Sequence, residues 1–370
     1  MLIINANFQY INFVTTTFLT PLRLPLTMKK TGFLILLISL LAACNDKKDF
    51  PDVSGIKVDI KLERFERDFF AIDTNNVLPG LNRLNEKYPV LIPIFLQEIL
   101  GLDSAGVVPG VKRFLSLTRP IYDTALMVLK DAEPLKKEFE KAFRFVKYYF
   151  PDYREPKIIT LIGPVDVMAK TSSGYSPDFL RPGFLALSLQ FYLGENFSLY
   201  RDPYFIDNVA PSYRSRRFSK EYITADGMLL IVDDLFPDKS AGKPLIDQMI
   251  ERGKHWYLLD KFLPETPDSV KTGFTALQLE WCNKNEGAIW SALVQSKDLH
   301  SISPATIQTY LGEGPFTQGY SQEFSPGNMG QWIGWRIVKK FADKNPELTP
   351  AEIMRTESKK ILEEAKYKPR

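Results

Sequence analysis

The chain has 370 residues, 45% hydrophobic and 25% charged, which is the composition of one or two globular domains rather than of a fibrous or disordered polymer. Its formal net charge of +3, from 47 Lys and Arg against 44 Asp and Glu, is too small for a protein that holds nucleic acid by neutralising phosphates. With only two cysteines, Cys44 and Cys282, and two histidines, His255 and His300, the sequence excludes a disulfide framework, a cysteine-rich zinc module, an iron–sulfur cluster and a His-Glu-x-x-His helix, and no motif calls for a cofactor.

The basic excess lies at one end. Residues 1–43 hold Arg23, Lys29 and Lys30 and no acid, so the remainder is formally neutral, with 44 basic and 44 acidic residues. From Met28, two lysines precede an apolar run too short to span a bilayer, the pattern of a secretory signal peptide over 28–43. It ends in Leu41-Ala42-Ala43-Cys44, the form of a bacterial lipobox, which makes Cys44 the expected lipid attachment point. Residues 1–27 lack this pattern and read as an over-extended translation start, or else as a long signal n-region. Residues 44–55, with Asp46, Lys47, Lys48, Asp49, Pro51 and Asp52, read as a polar tether, and 56–370 as a mainly helical globular domain.

Within that domain, Leu135, Phe139, Ala142, Phe143, Val146 and Phe150 recur at helical steps after Glu133-Pro134 and stop before Pro151. Lys157–Ile162 and Phe184–Tyr192 break the rhythm. Both are short, rich in branched or aromatic residues and bounded by Gly and Pro, so they read as strands. Helices are then expected over 219–235, 242–262, 268–282, 284–295, 304–311, 328–343 and 350–365. Thr349-Pro350-Ala351-Glu352 has the make-up of a capping box with Pro at the first helical position, and Ser303-Pro304 and Thr266-Pro267 repeat its first two elements. Many helices round a small sheet define a mainly helical α+β fold.

Three segments carry candidate chemistry. In Ser325-Pro326-Gly327-Asn328-Met329-Gly330-Gln331-Trp332-Ile333-Gly334-Trp335, the glycines Gly330 and Gly334 are one helical turn apart, and with Gly327 they are expected to serve packing. The alternative is a ligand or partner groove flanked by Trp332 and Trp335. On the helix after Arg216-Arg217, Asp226 and Asp233 lie two turns apart with Asp234 beside them, either a solvated face or a paired-carboxylate site. Met249-Ile250-Glu251-Arg252-Gly253-Lys254-His255-Trp256 puts a glycine inside a helix, which implies a packing reason, and His255 without a second histidine nearby reads as a surface or satisfied core residue. Gly-rich phosphate loops, Gly-x-Ser-x-Gly elbows and Cys-His pairs are missing, which weighs against the common enzyme classes.

The lipobox, Glu63-Arg64-Phe65-Glu66-Arg67-Asp68-Phe69-Phe70, Tyr88-Pro89-Val90, Phe191-Tyr192-Leu193-Gly194, Tyr222–Met228, Glu251–Lys254 and Ser325–Trp335, in that order, resemble the gliding motility-associated lipoprotein GldB family over essentially the whole mature chain. The resemblance implies a lipoprotein of the cell envelope, held at the outer membrane through Cys44, associated with gliding and adhesin secretion and without an established reaction. More distantly, the order of edge strand, acidic helix, Glu-x-Gly helix and late glycine–aromatic helix looks like gluzincin-type zinc peptidases. In those the acidic helix carries His-Glu-x-x-His and the Glu of the later helix is the third ligand; here Tyr222–Val232 has no histidine, and only Glu251 would remain. The expectation is a non-catalytic lipoprotein that uses a degenerate peptidase-like cleft, with Asp226, Asp233, Asp234, Glu251, Trp332 and Trp335 as its candidate residues, to bind a peptide or a protein of the gliding or secretion machinery. The alternative is an envelope hydrolase with Asp226, Asp233, Asp234 and Glu251 clustered in one pocket.

Overall fold

The computed structural model describes residues 50–369 apart from 172 and 173. The chain divides into two units, Met1–Pro51 and Asp52–Arg370, and nearly all described residues belong to the second. The expectations on 1–27, on the signal peptide, on Cys44 and on residues 44–49 of the tether fall outside the described residues.

The second unit is a mainly helical α+β structure. Its sheet has the order β1 (Leu62–Arg64), β2 (Lys157–Leu161), β6 (Phe184–Ser188), β5 (Phe179–Arg181). β1, β2 and β6 run parallel, and β5 is antiparallel to β6. A two-stranded pair, β3 (Ala169–Thr171) and β4 (Gly174–Ser176), stands apart from it. Both expected strands exist, and β6 stops at Ser188, where the chain turns into a 3-10 helix, Leu189–Phe191. β6 is buried along its whole length and β2 beyond Lys157, as strands covered on both faces must be. β1 and β5 escaped the periodicity reading because three residues carry too little pattern.

The crossover from β1 to β2 contains α1 (Phe65–Phe70), α2 (Val77–Lys87), a π-helical turn (Ile94–Ile99), α3 (Val107–Val128) and α4 (Glu133–Tyr149). α4 buries Leu135, Phe139, Ala142, Phe143 and Val146, the face expected from their spacing. α5 (Ile223–Leu235) lies on the sheet and on α4. Gly227 permits this closeness: a Cβ there would stand 3.0 Å from Phe139 and 3.2 Å from Leu185.

α6 (Leu245–Phe262), α7 (Ala276–Ser296), α8 (Met329–Lys344) and α9 (Ser358–Ala365) complete the body. The helix expected over 268–282 breaks after Thr272, where Gly273 takes φ +70°, while α7 runs through the expected gap at 283. α7 begins with a complete capping box from Thr275 and Gln278. Thr349 and Glu352 form the expected box. The helix it opens nevertheless ends at Arg355, and Thr356 and Glu357 are extended before α9. Ser303 makes no side-chain cap, and Pro267 stands before its helix rather than inside it.

α6 and α8 form the most intimate helix pair. A Cβ on Gly334 would lie 1.7 Å from the Met249 carbonyl oxygen, and one on Gly253 would lie 2.2 Å from the Gly334 carbonyl carbon. Backbone meets backbone there, so neither position accepts any side chain. Cys282 is a fully buried thiol whose pKa burial pushes up to about 12, so it serves the core as a small apolar residue.

Candidate functional site: a cationic cleft over α5

A cleft enclosing about 180 Å³ opens where α5, the segment after Ser212–Ser215, the Thr272–Phe274 turn, the Glu313–Pro315 loop and the start of α8 converge. Its floor comes from one helix. Asp226 and Asp233, seven residues apart on α5, both line it, as the two-turn spacing requires. Asp226 keeps one edge open to the cleft, while its carboxylate is otherwise enclosed by protein.

Behind Asp226 lies a buried chain of polar groups. The Tyr192 hydroxyl is 2.5 Å from Asp178 Oδ2 and 3.1 Å from Asp226 Oδ2, and Asp178 Oδ1 accepts the Ser188 N–H at 2.7 Å. One phenolic proton cannot satisfy two carboxylates, so one of the acids must retain its proton to complete the chain. Burial raises the Asp178 pKa to about 7, against the opposing hydrogen bonds from Ser188 and Tyr192, and burial also raises that of Asp226. Burial first, then the two carboxylates, lift Tyr192 well above its usual value, so the phenol stays protonated. Asp233 Oδ1 faces His255 Nδ1 at 3.0 Å, close enough for an ion pair but misaligned for a hydrogen bond, and neither atom has another partner.

The walls are basic and aromatic. Arg217 donates to Glu313 at 2.8 Å, and Arg214 comes within 3.7 Å of the same carboxylate. Arg216 donates to the Gly273 carbonyl at 2.5 Å and reaches Gln278 Oε1 at 3.5 Å. Burial, and then its neighbour Arg217, work against the charge of Arg216. Lys271 is held charged despite burial by Asp260 and by Asp268 at 2.9 Å. Leu229 and Val270 supply partly exposed apolar surface, and Phe218, Trp256 and Phe274 in the same wall are nearly fully buried.

The other candidate residues lie elsewhere. Asp234 points to the far side of α5, where it accepts from Tyr153 at 2.9 Å in a separate cavity that shares Leu230 and Asp233 with the cleft. These tertiary partners, His255 and Tyr153, account for acids at the unfavourable end of a helix dipole. Glu251 is not in the cleft either. It accepts from Ser358 at 2.6 Å and from Lys254 at 2.8 Å, and Lys254 also donates to the Thr356 carbonyl at 2.6 Å. The motif Glu251–Lys254 therefore brackets the C-terminal segment and splits the expected helix 350–365. A pocket uniting Asp226, Asp233, Asp234 and Glu251 does not form, and among the described residues no group of three or more His, Cys, Asp and Glu could hold a metal ion.

Trp332 and Trp335 are core residues rather than cleft walls. Trp332 is fully buried with the Arg336 guanidinium 5.7 Å from its ring centre, and Trp335 donates to Asp260 at 2.8 Å while packing edge-on against Trp256. Of the packing glycines, Gly334 meets Met249, Gly330 would place a Cβ 2.9 Å from the Tyr310 carbonyl, and Gly327, at the cleft edge, would place one 2.3 Å from the Gly314 carbonyl.

Asp178, Tyr192, Arg214, Arg216, Arg217 and Glu313 were not singled out as candidates in the sequence. Arg214-Ser215-Arg216-Arg217 is a visible charge run before Phe218, whereas Asp178 is an isolated acid with no local signal. No helix among the described residues is long and apolar enough to cross a membrane. No curated protein and no solved structure matches this chain. A model of the family described as gliding motility protein GldB matches residues 46–369, which carry the sheet, the α6–α8 crossing and the cleft. By that match the chain belongs to the gliding motility protein GldB family.

Proposed function

We propose that this member of the family acts without catalysis, as an outer-membrane lipoprotein tethered through Cys44 that holds a segment of a protein partner of the gliding or secretion apparatus in the cleft over α5. The observation that carries the reading is the cleft wall: guanidinium groups beside the partly exposed Tyr213, Leu229 and Val270 are suited to grip a chain carrying both polar and apolar groups. Asp226 on the cleft floor is engaged by the Tyr192 hydroxyl, which favours holding over proton transfer to a substrate.

The hydrolase reading draws on one observation, a carboxyl with raised pKa at Asp226 that faces the cleft. Replacement of the chromosomal copy separates the two. Asp226→Asn combined with Asp233→Asn preserves shape and should leave colony spreading and adhesin export intact if the cleft only binds. Leu229→Trp, which fills the cleft from a partly exposed position, should stop both at unchanged protein level. Loss of spreading with the two Asn substitutions, at normal abundance, would favour catalysis instead. Cys44→Ala should release the protein from the membrane fraction.

A further inference from the structure

We infer that the cleft receives a carboxylate borne by the partner polypeptide, seated against the guanidinium groups of Arg216 and Arg217; this rests on the binding reading above. A guanidinium keeps its proton at any physiological pH, so its enclosure has to be answered by acceptors. Arg216 has only neutral ones in hydrogen-bond contact, the Gly273 carbonyl and, at the edge of range, Gln278. Glu195 acts on its charge without a hydrogen bond to it. Arg217 is brought to the same turn, and the missing side chain of Gly273 makes room for it: a Cβ there would lie 2.5 Å from Arg217 Nη1.

Of the cleft's carboxylates only Glu313 hydrogen-bonds to this pair, through Arg217, and Arg216 has none. Asp233 faces His255, Lys271 is occupied by Asp260 and Asp268, and Asp226, although the charge of Arg217 acts on it, makes its hydrogen bond to Tyr192 and through it joins Asp178. Glu313 shows that a carboxylate fits against Arg217, and it does so from a half-exposed position on a loop that also holds Gly312 and Gly314. It is the chain's own occupant of part of the seat. A free inorganic anion would leave the partly exposed Leu229 and Val270 of the cleft unused, whereas a carboxylate on a polypeptide brings neighbouring side chains to cover them.

The test uses the full-length protein in detergent micelles and two fluorescent peptide pools. One pool carries Glu at a fixed central position and a free C-terminus, and the other carries Gln there and an amidated C-terminus, with all remaining positions randomised without acids. Retention of the acidic pool should exceed that of the neutral pool at least tenfold, fall to the neutral level in Arg216→Gln/Arg217→Gln, and rise severalfold in Glu313→Gln. If the double variant fails to fold, judged by its melting temperature, the Glu313→Gln arm decides, and unchanged retention there overturns the inference. Equal retention of the two pools by the unaltered protein also overturns it while leaving the binding reading standing. Absence of retention of either pool, in the unaltered protein and in Glu313→Gln, removes both. Displacement of the acidic pool by inorganic phosphate but not by acetate at equal concentration would assign the seat to phosphate and overturn the carboxylate.

Discussion

The segment Ser325–Trp335 serves two regions with opposite physics. Its later half crosses α6 with Gly334 against Met249, where apolar surface and backbone fill all the space. Its earlier half, Pro326, Gly327 and Asn328, edges the cleft, where charged groups leave about 180 Å³ open. The first region is held by burial that tolerates no added atom; the second is held apart by polar groups whose desolvation opposes collapse. The contrast teaches that the glycines of one motif do different work according to what faces them. Gly334 admits a neighbouring helix, and Gly327 admits the Gly314 loop that frames the cleft.

The sharpest way to break the contrast is to add one methyl group on the packed side. Gly334→Ala should destabilise by about 4 kcal/mol or more, since the Cβ meets backbone that can move only if the helices separate. Denaturant unfolding should show this as loss of the folded baseline or a large fall in midpoint. Trp332→Ala should be comparable, at about 3–5 kcal/mol, because it empties a fully buried indole site and removes a neighbour of Arg336.

On the cleft side the expected effect is a pH dependence. Asp178 has a folded-state pKa of about 7 against an ordinary value of 3.8, so the stability it contributes is complete below about pH 4 and is lost as pH rises towards 7. Asp178→Asn keeps an acceptor for the Ser188 N–H and a donor towards Tyr192. Urea titrations from pH 4 to pH 8 should show that it removes a slope amounting to a few kcal/mol at most, with the variant gaining relative stability at the upper end. An unchanged slope would mean that another group dominates this window.

Smaller still, Ser358→Ala should cost about 1–2 kcal/mol by withdrawing a buried donor from Glu251 without disturbing the cleft. Glu313→Gln, at a half-exposed ion pair, should shift stability by less than about 0.5 kcal/mol and reveal itself in binding alone. A larger thermal shift would show that Glu313 braces the loop rather than occupying a seat.

The legibility of the chain in its sequence follows the range of the interactions concerned. α4 was readable because its apolar face repeats within 17 residues and its start carries Pro134. The split between the helix Pro350–Arg355 and α9 was not, because it depends on Lys254 and Glu251 gripping Thr356 and Ser358 from about a hundred residues away. Asp226 and Asp233 share the cleft as their spacing implied, but Asp234, adjacent in sequence, turns to Tyr153, and Glu251 belongs to a different contact altogether. The sequence leaves Trp332 and Trp335 between core packing, the expected role of their segment, and a groove, because aromatic residues beside glycines suit either, and only the position of α6 decides between them.

The sequence by itself determined the mainly helical α+β class, the two central strands, the Thr349 capping box and, through the order of its motifs, the family, because periodicity, capping and motif order are local or linear properties. Tertiary structure alone decided which charges meet. Arg216 and Arg217 reach the Gly273 turn, Glu313 arrives from another loop, and Asp178 and Asp226 are joined through Tyr192. Desolvation and proton sharing arise from that convergence, and neither has a one-dimensional signature.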